Sequence, residues 1–142
     1  MPSTDYLDHL AQVRLFSSCN SKELAKIARA SDELSRPKGK VLMNQGRTGR
    51  EAFVIVDGQA SVDVGGVTVA ELGPGDHVGE LALLDGGTRT ATVTAATDMT
   101  VIVLSQRAFF GLLDEVPGLA RKILSSLAGM IRDLDEQLAP HA

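Results

Sequence analysis

The spacing of apolar residues changes twice along the chain. Between residues 5 and 30, apolar side chains recur every three to four positions, which predicts one helix over about 5–16 and a second that ends near residue 30. Asn20 and Glu23 have the spacing of a capping box, so the second helix is expected to begin directly after Asn20. Both helices are predicted to turn their apolar faces inward.

Between residues 32 and 104 the chain has the pattern of short strands. Turn signals that contain Gly or Pro recur roughly every 8–12 residues, which is typical of a β-sandwich or barrel. Two dipeptides, Asp57-Gly58 and Gly65-Gly66, have the composition of tight hairpin turns. The clearest predicted strands cover 52–56, 60–64, 67–70 and 99–104.

The helical period returns after residue 104. Ser105 is predicted to cap a helix that runs to about residue 113, and Pro117 is predicted to stand in the first turn of the last helix. This last helix carries an apolar stripe, which either packs on the strands or offers a surface to a partner or a second copy. The stripe comprises Leu119, Ile123, Leu127, Met130 or Ile131, Leu134 and Leu138.

Composition limits the class of protein. The chain has 142 residues, 44% of them hydrophobic, which is enough for one domain with a single core. The net charge of −4 argues against a general nucleic-acid-binding surface, and the single cysteine, Cys19, excludes an internal disulfide framework. The first residues lack the features of a signal peptide, and no apolar run approaches the ~20 residues that span a bilayer. A cytoplasmic protein that binds neither nucleic acid nor membrane is therefore expected.

Residues 79–94 are the most informative stretch. The first part, 79–84, is long enough for one or two helical turns, whose N–H groups and dipole favour an anion. A glycine pair then permits a sharp reversal, and Arg89 begins an alternating run that predicts a strand. The expected result is a pocket with N–H groups on one side and a guanidinium on the other, which suits a phosphate. Glu80, at the mouth of the short helix, would suit sugar hydroxyls.

The same stretch resembles the phosphate-binding cassette of the cyclic nucleotide-binding domain family. The match rests on two runs, Gly79-Glu80-Leu81-Ala82-Leu83 and Arg89-Thr90-Ala91-Thr92-Val93. That family includes the bacterial catabolite activator, the regulatory subunits of cyclic-nucleotide-dependent kinases, and gated channels. The resemblance extends weakly over nearly the whole chain.

The resemblance implies an α+β, mainly β fold. An antiparallel, jelly-roll-like β-roll of about eight strands would lie between N-terminal and C-terminal helices, with a short phosphate-binding helix inserted in the roll. A single domain would then span 1–142, with N-terminal helices over 1–31, the β-roll over 32–104, the cassette over 79–93, and hinge and lid helices over 105–142.

The resemblance also implies a role for each polar group of the cassette. Glu80 would accept a hydrogen bond from the ribose 2′-hydroxyl, and Arg89 would pair with the cyclic phosphate. Thr90 could reach the phosphate or the purine edge, or it could be a solvated strand residue. Glu80 and Arg89 could instead form a structural ion pair. The remaining implied contacts are Gly79 and the backbone N–H groups of Leu81, Ala82 and Ala91.

Apolar residues are implied beside the base and above it. In the family an apolar wall flanks the base, although core packing in the roll is the simpler interpretation of the three matching positions. The last helix of the family closes over the purine as a lid, which here corresponds to about 118–138. Arg132 could stack on the purine or remain a solvated charge. The wall would comprise Val62, Val69 and Leu72, and the lid residue is expected among Met130, Ile131, Arg132 and Leu134.

The implied protein is a sensor in which ligand binding moves the C-terminal helix, and no cofactor beyond the ligand is expected. Family members commonly join this domain to an output domain, and none is recognised in this sequence. The expected partner is therefore an effector protein, or a covalently linked effector domain if the chain is a fragment, and a homodimer through the last helix is also expected. Two positions depart from the family pattern, Val78 in place of phenylalanine and Thr88 in place of proline, and neither removes a ligand contact.

Three alternatives stay open at the level of sequence. Catalysis and a metal site are disfavoured because the serine-hydrolase, Walker and paired-histidine zinc motifs are missing, and because His9, His77 and His141 are scattered. A protein-interaction module with an empty or vestigial pocket is the second alternative. The third concerns the ligand: cyclic AMP is favoured, although Thr90 directly after Arg89 resembles the cyclic-GMP-selective kinases.

Overall fold

The computed structural model describes residues 4–138, so the predicted limits at residues 1 and 142, and His141, lie outside the described part. No helix in this range is both long and apolar enough to cross a membrane. The helices are α1 (Thr4–Ala11), α2 (Ser21–Ala30), α3 (Ala82–Asp85), α4 (Gln106–Glu115) and α5 (Leu119–Leu138), with a 3₁₀ turn at Arg14–Phe16. The strands are β1 (Asp32–Arg36), β2 (Val41–Met43), β3 (Glu51–Asp57), β4 (Ala60–Val64), β5 (Val67–Leu72), β6 (His77–Val78), β7 (Thr92–Ala95) and β8 (Met99–Ser105).

The strands form two sheets. One has the strand order β1-β8-β3-β6 and the other β2-β7-β4-β5, and every pair is antiparallel. This arrangement confirms the predicted α+β, mainly β architecture, a roll of eight strands flanked by helices. Gly65 and Gly66 join β4 to β5 with φ values of 58° and 82°, which confirms the predicted tight hairpin.

β3 and β8 are buried on both faces. Phe53 and Val101 belong to the apolar cluster between the two sheets, whereas their neighbours Val54 and Ile102 belong to the cluster beneath the helices. A strand covered on both sides needs apolar residues at successive positions, which explains the continuous apolar runs in these two segments. The two central strands therefore join the sheet core to the helical core.

Both predicted caps are present. The Asn20 side chain accepts from the Glu23 N–H at 2.9 Å, and the Glu23 carboxylate accepts from the Asn20 N–H at 2.8 Å, which confirms the capping box of α2. At the start of α4, Ser105 Oγ accepts from the Ala108 N–H at 3.1 Å. Local side-chain chemistry thus fixes where these two helices begin.

Two helix predictions are wrong in part. The helix expected over 5–16 ends at Ala11, because Val13 is extended (φ −70°, ψ 116°) and the chain then makes the 3₁₀ turn that buries Phe16. Pro117 precedes α5 instead of standing in its first turn. Gly118 has a φ of 80° and separates the proline from the helix, which begins at Leu119.

The apolar stripe of α5 is divided between two environments. On one side, Leu119 and Ile123 are buried and Leu127 packs against the helical core, so the helix does pack on its own domain. The other side stays open to solvent over most of the length of the helix. Its exposed apolar residues are Leu124, Ile131, Leu134 and Leu138.

Polar contacts hold α5 against the N-terminal segments. Arg14, in the 3₁₀ turn, pairs with Asp133, and Lys122 Nζ lies 2.6 Å from Glu23 Oε1 at the start of α2. The Ser126 hydroxyl, which is buried, lies 3.0 Å from Ser18 Oγ. Three separate ties therefore hold the C-terminal helix on the N-terminal part of the domain.

Candidate functional site

A cleft of about 380 Å³ lies between the α3 segment and the residues that precede β7. Two short stretches of chain, together with one residue of β2, supply its walls. The fold thus brings six of the predicted ligand-binding residues to one place: Gly79, Glu80, Leu81, Ala82, Arg89 and Thr90. The other residues that line the cleft are Met43, Asp85, Gly87 and Thr88.

The cassette backbone differs in detail from its prediction. The short helix is present as one turn, and Gly86, with a φ of 60°, ends it by donating its N–H to the Ala82 carbonyl at 3.0 Å. The strand expected from Arg89 begins only at Thr92. Arg89 lies before it because its N–H donates to Arg47 O at 2.8 Å and its carbonyl accepts from the Gly46 N–H at 2.9 Å, so this stretch pairs with the loop before β3.

The Arg89 side chain is buried at the floor of the cleft and is only 7% exposed. Its Nη2 donates to the carbonyl oxygen of Glu51 at 2.8 Å. The guanidinium carbon also lies 6.0 Å from the centre of the Phe53 ring, within range of a cation–π contact. Strand β3 therefore fixes the position of the charge from behind.

Two glycines leave the space that the guanidinium fills. A Cβ at Gly49 would lie 1.9 Å from Arg89 Nε, and a Cβ at Gly79 would lie 2.4 Å from Nη1. Gly79 also has a φ of 80°, which a residue with a side chain adopts only with strain. Both positions therefore require glycine if the arginine is to stay where it is.

One end of the Arg89 guanidinium lacks a partner. Nη1 is buried and makes no hydrogen bond within residues 4–138. Burial lowers the pKa of Arg89 from its usual range, and the nearby Glu51 carboxylate opposes this in part. A buried cation with an unused donor is costly, and an anion in the cleft would relieve the cost.

Glu80 does not pair with Arg89. Its Oε1 lies 3.9 Å from His77 Nε2, and the two side chains are 22% and 25% exposed. Within the described range Glu80 makes no ion pair with any other residue, so the structural ion pair considered from the sequence is not formed. The Glu80 carboxylate thus remains available at the edge of the cleft.

The structure places the remaining cassette groups as follows. The Ala82 N–H donates to the Gly79 carbonyl at 3.1 Å within the turn that begins α3. Leu81 and Thr90 are exposed at the cleft, whereas Ala91 is buried beneath it. The backbone contacts assigned to Leu81, Ala82 and Ala91 stay predictions.

The three residues of the expected apolar wall have different surroundings. Val62 and Leu72 are partly buried and pack against the core between the sheets. Val69 is 59% exposed, so core packing is the wrong interpretation for this residue. The reason is a β-bulge: Val62 pairs with Ala70 and Asp63 with Thr68, which leaves Val69 as the extra residue of β5.

The four residues expected to form a lid lie on the part of α5 that is tied to the N-terminal segments. Met130 is half-buried, and Ile131, Arg132 and Leu134 are exposed. None of the four is among the described residues that line the cleft. Their lid role stays a prediction that requires α5 to move.

Three features of the site were missed from the sequence. Gly49, the Glu51 carbonyl and the Phe53 ring surround Arg89, yet they lie about forty residues before it in the chain. No local motif marks them. A hairpin-level prediction that paired the loop before β3 with residues 87–89 would have found Gly49.

The groups expected from a catalytic or metal-binding protein are not assembled in the described range. No three His, Cys, Asp or Glu side chains of residues 4–138 lie together as a metal site would require. Cys19 is half-buried, and its burial, together with Glu23, raises the pKa of its thiol to about 11. A thiol of that pKa stays protonated at neutral pH and is a poor nucleophile.

Comparison with known proteins identifies the domain. Residues 33–116 match the family model described as the cyclic nucleotide-binding domain. The chain is 36% identical over 146 residues to a cAMP-dependent protein kinase regulatory subunit of Mycosarcoma maydis, an alignment that covers 96% of this chain and 27% of the relative. The chain spans 25–32% of the length of the curated relatives it matches.

Solved structures agree with this assignment. The N-terminal domain of a transcriptional regulator from Streptomyces coelicolor A3(2) superposes with a TM-score of 0.85 at 26% identity, covering 91% of this chain and 96% of that one. The Thermus thermophilus catabolite activator protein gives a TM-score of 0.69 at 28% identity, covering 88% and 61%. The prediction of a regulatory binding domain, as opposed to an enzyme, is confirmed by these relatives. The chain belongs to the cyclic nucleotide-binding domain family.

Proposed function

We propose that this domain is a cyclic nucleotide sensor whose ligand is cyclic AMP in preference to cyclic GMP. The observation that carries the proposal is the buried Nη1 of Arg89, an unused donor on a cation at the floor of a cleft. A cyclic phosphate supplies the anion that this donor needs. The choice of cyclic AMP is supported by the Mycosarcoma maydis relative, which is named as a cAMP-dependent kinase subunit.

The polar groups of the cleft divide the ligand between them. Arg89 binds the cyclic phosphate through Nη1 while Nη2 stays on the Glu51 carbonyl, and Glu80 accepts the ribose 2′-hydroxyl. Thr90 lies at the open edge, where its hydroxyl can meet either the phosphate or the purine. The N–H groups of Leu81, Ala82 and Ala91 complete the phosphate cradle, and Gly79 leaves room for it.

Binding is coupled to α5. The exposed Val69 forms, with Val62 and Leu72, the wall beside the base, and a residue among Met130, Ile131, Arg132 and Leu134 covers it from above. This requires α5 to leave the ties at Glu23 and Arg14 that hold it in the present arrangement. Ligand shifts the balance by its higher affinity for the closed arrangement.

The open side of α5 is the output surface, and its occupant is a second copy of the chain. Leu124, Ile131 and Leu138 are spaced seven residues apart and are 65%, 58% and 83% exposed. Such a heptad repeat favours pairing of two helices. Because Ile131 also belongs to the lid set, closure and pairing compete for it, and ligand is expected to shift the monomer–dimer balance.

The first experiment is isothermal titration of the purified protein, freed of any copurified nucleotide, with cyclic AMP and cyclic GMP. We expect binding near micromolar, about −8 kcal/mol, and weaker binding of cyclic GMP. No heat with either ligand, from protein shown to be folded, would instead identify a protein-interaction module. Tighter binding of cyclic GMP would reverse the ligand assignment and point to Thr90.

Sedimentation velocity tests the output surface separately. We expect a dimer for the wild type and a monomer for Ile131→Asp, while Ser125→Asp, an exposed neighbour outside the stripe, stays dimeric. A wild type that is monomeric at tens of micromolar would leave an effector protein as the occupant of the stripe.

A further inference from the structure

His77 stands beside Glu80 in an arrangement that the sequence motif does not explain. Its Nε2 lies 3.9 Å from Glu80 Oε1, and within residues 4–138 no lysine or arginine pairs with that carboxylate. The contact involves one of the two carboxylate oxygens. The other oxygen is therefore not committed to this pair.

The backbone holds His77 rigidly in this place. His77 is in β6 and pairs with Val54 of the central strand β3, while Val78 pairs with Phe53. Gly79 then turns the chain at a φ of 80°, so that the side chains of residues 77 and 80 approach each other. A side chain fixed by a buried strand can hold a more flexible neighbour in one position.

The surroundings of the pair offer no alternative support. Behind His77 and Glu80 is a small apolar void whose walls include Leu10 and Val13 from the N-terminal segment and Val54 from β3. Apolar walls cannot hydrogen-bond a carboxylate, and a partly dehydrated carboxylate is stabilised by a neighbouring donor or cation. The His77 ring fills that role.

We infer that His77 is a positioning residue for Glu80. It holds one carboxylate oxygen so that the other faces the ribose 2′-hydroxyl, and it thereby sets how strongly the domain prefers ribose to 2′-deoxyribose. The inference rests on the proposed function. Its benefit is preorganisation, because Glu80 then has less side-chain freedom to lose when ligand binds.

The test uses the ratio of two dissociation constants, that of 2′-deoxy cyclic AMP divided by that of cyclic AMP. In His77→Gln the amide nitrogen stands close to the place of Nε2, whereas in His77→Asn it stands near Nδ1 and cannot reach Glu80. We expect His77→Asn and His77→Leu to lower the ratio about three-fold, the size of a weak, partly exposed polar pair. His77→Gln should keep the ratio close to that of the wild type.

Two further measurements make the outcome decisive. His9→Gln, a histidine in α1 that does not pair with Glu80, serves as the control and should leave the ratio unchanged. Thermal unfolding of every variant separates loss of fold from loss of positioning. If His77→Leu does not fold, the comparison of Gln with Asn still decides the matter.

The possible results distinguish this inference from the proposed function. If the wild type prefers cyclic AMP to its 2′-deoxy analogue and His77→Asn keeps the same ratio, His77 has no positioning role and the sensor assignment stands. A higher ratio in His77→Asn would mean that His77 competes with the hydroxyl, which also overturns the inference. If the folded, nucleotide-free wild type binds neither ligand, both proposals fail together.

Discussion

Arg89 uses one end of its guanidinium to hold the protein together and offers the other to the cleft. Replacing it with alanine removes the Nη2 contact with Glu51 as well as the donor for the ligand. We expect Arg89→Ala to weaken cyclic AMP binding by more than about tenfold, since a charged hydrogen bond contributes roughly 1.5–3 kcal/mol. Isothermal titration measures the loss.

The matched control for Arg89 is Arg47→Ala, which removes an exposed arginine close in space to the same loop. It should change the affinity much less, because long-range attraction between exposed charges is screened by salt. Equal losses in the two variants would mean that general charge attraction, and not a specific contact, explains the effect. Wild-type affinity in Arg89→Ala would refute the assignment of the phosphate site.

Gly49 provides a second way to displace the same guanidinium. Its φ is not positive, so alanine fits its backbone, but the added Cβ would lie 1.9 Å from Arg89 Nε. We expect Gly49→Ala to weaken cyclic AMP binding roughly tenfold by moving the guanidinium, with a smaller effect on thermal stability. Gly111→Ala, where a Cβ meets nothing within 4 Å, is the control and should leave binding unchanged.

The contrast between these two residues shows what sequence can predict at a site. Arg89 and Glu80 were found because the cassette is continuous in the chain and its spacing is itself the signal. Gly49 meets Arg89 only because residues 46–49 pair with 87–89, for example through the Gly49 N–H and the Gly87 carbonyl at 3.0 Å. Such long-range pairing is not encoded in any short window of sequence.

At the scale of elements, the tie between α2 and α5 depends on an ionised Glu23. Its hydrogen bond with Lys122, supported by the Asn20 N–H, lowers the pKa of Glu23 below its usual value of 4.5. The carboxylate is therefore charged in the folded protein at pH values where the unfolded chain binds a proton. The stabilisation is complete above the usual pKa and is lost as the pH falls through the lowered one.

Lys122→Met tests this tie. We expect a melting temperature roughly 2–4 °C below that of the wild type at neutral pH, and a difference that shrinks as the pH falls below about 4. Ser125→Ala, an exposed position on the same helix, should match the wild type at every pH. A difference that stays constant into the acid range would show that lost packing of the lysine stem, not the ion pair, causes the effect.

Elements were predictable where the signal is local and less so where packing decides. The capping box of α2 and the Gly65-Gly66 hairpin are set by neighbouring residues, and both are confirmed. The helix expected over 5–16 breaks after Ala11 because the 3₁₀ turn places Leu15 and Phe16 in the core. The apolar spacing of that segment suits both arrangements, so only the tertiary contacts distinguish them.

At the scale of the whole molecule, the ties on α5 and the ligand are expected to oppose each other. Arg14 and Glu23 hold the helix on the N-terminal segments, and the described lining of the cleft includes no residue of α5. If ligand binding requires α5 to close over the base, each tie lowers the apparent affinity by the cost of breaking it. Weakening the ties should then strengthen binding even though none of the changed residues lines the cleft.

The variant that tests this opposition combines Lys122→Met with Asp133→Asn. We expect its affinity for cyclic AMP to rise about three-fold, because two partly exposed ion pairs together contribute roughly 0.5–1 kcal/mol. The same variant should melt at a lower temperature than the wild type, which proves that the ties were lost. An affinity that is unchanged or weaker, in protein with the lowered melting temperature, would show that the position of α5 is not linked to the cleft. The lid assignment would then be wrong, while phosphate binding at Arg89 would be unaffected.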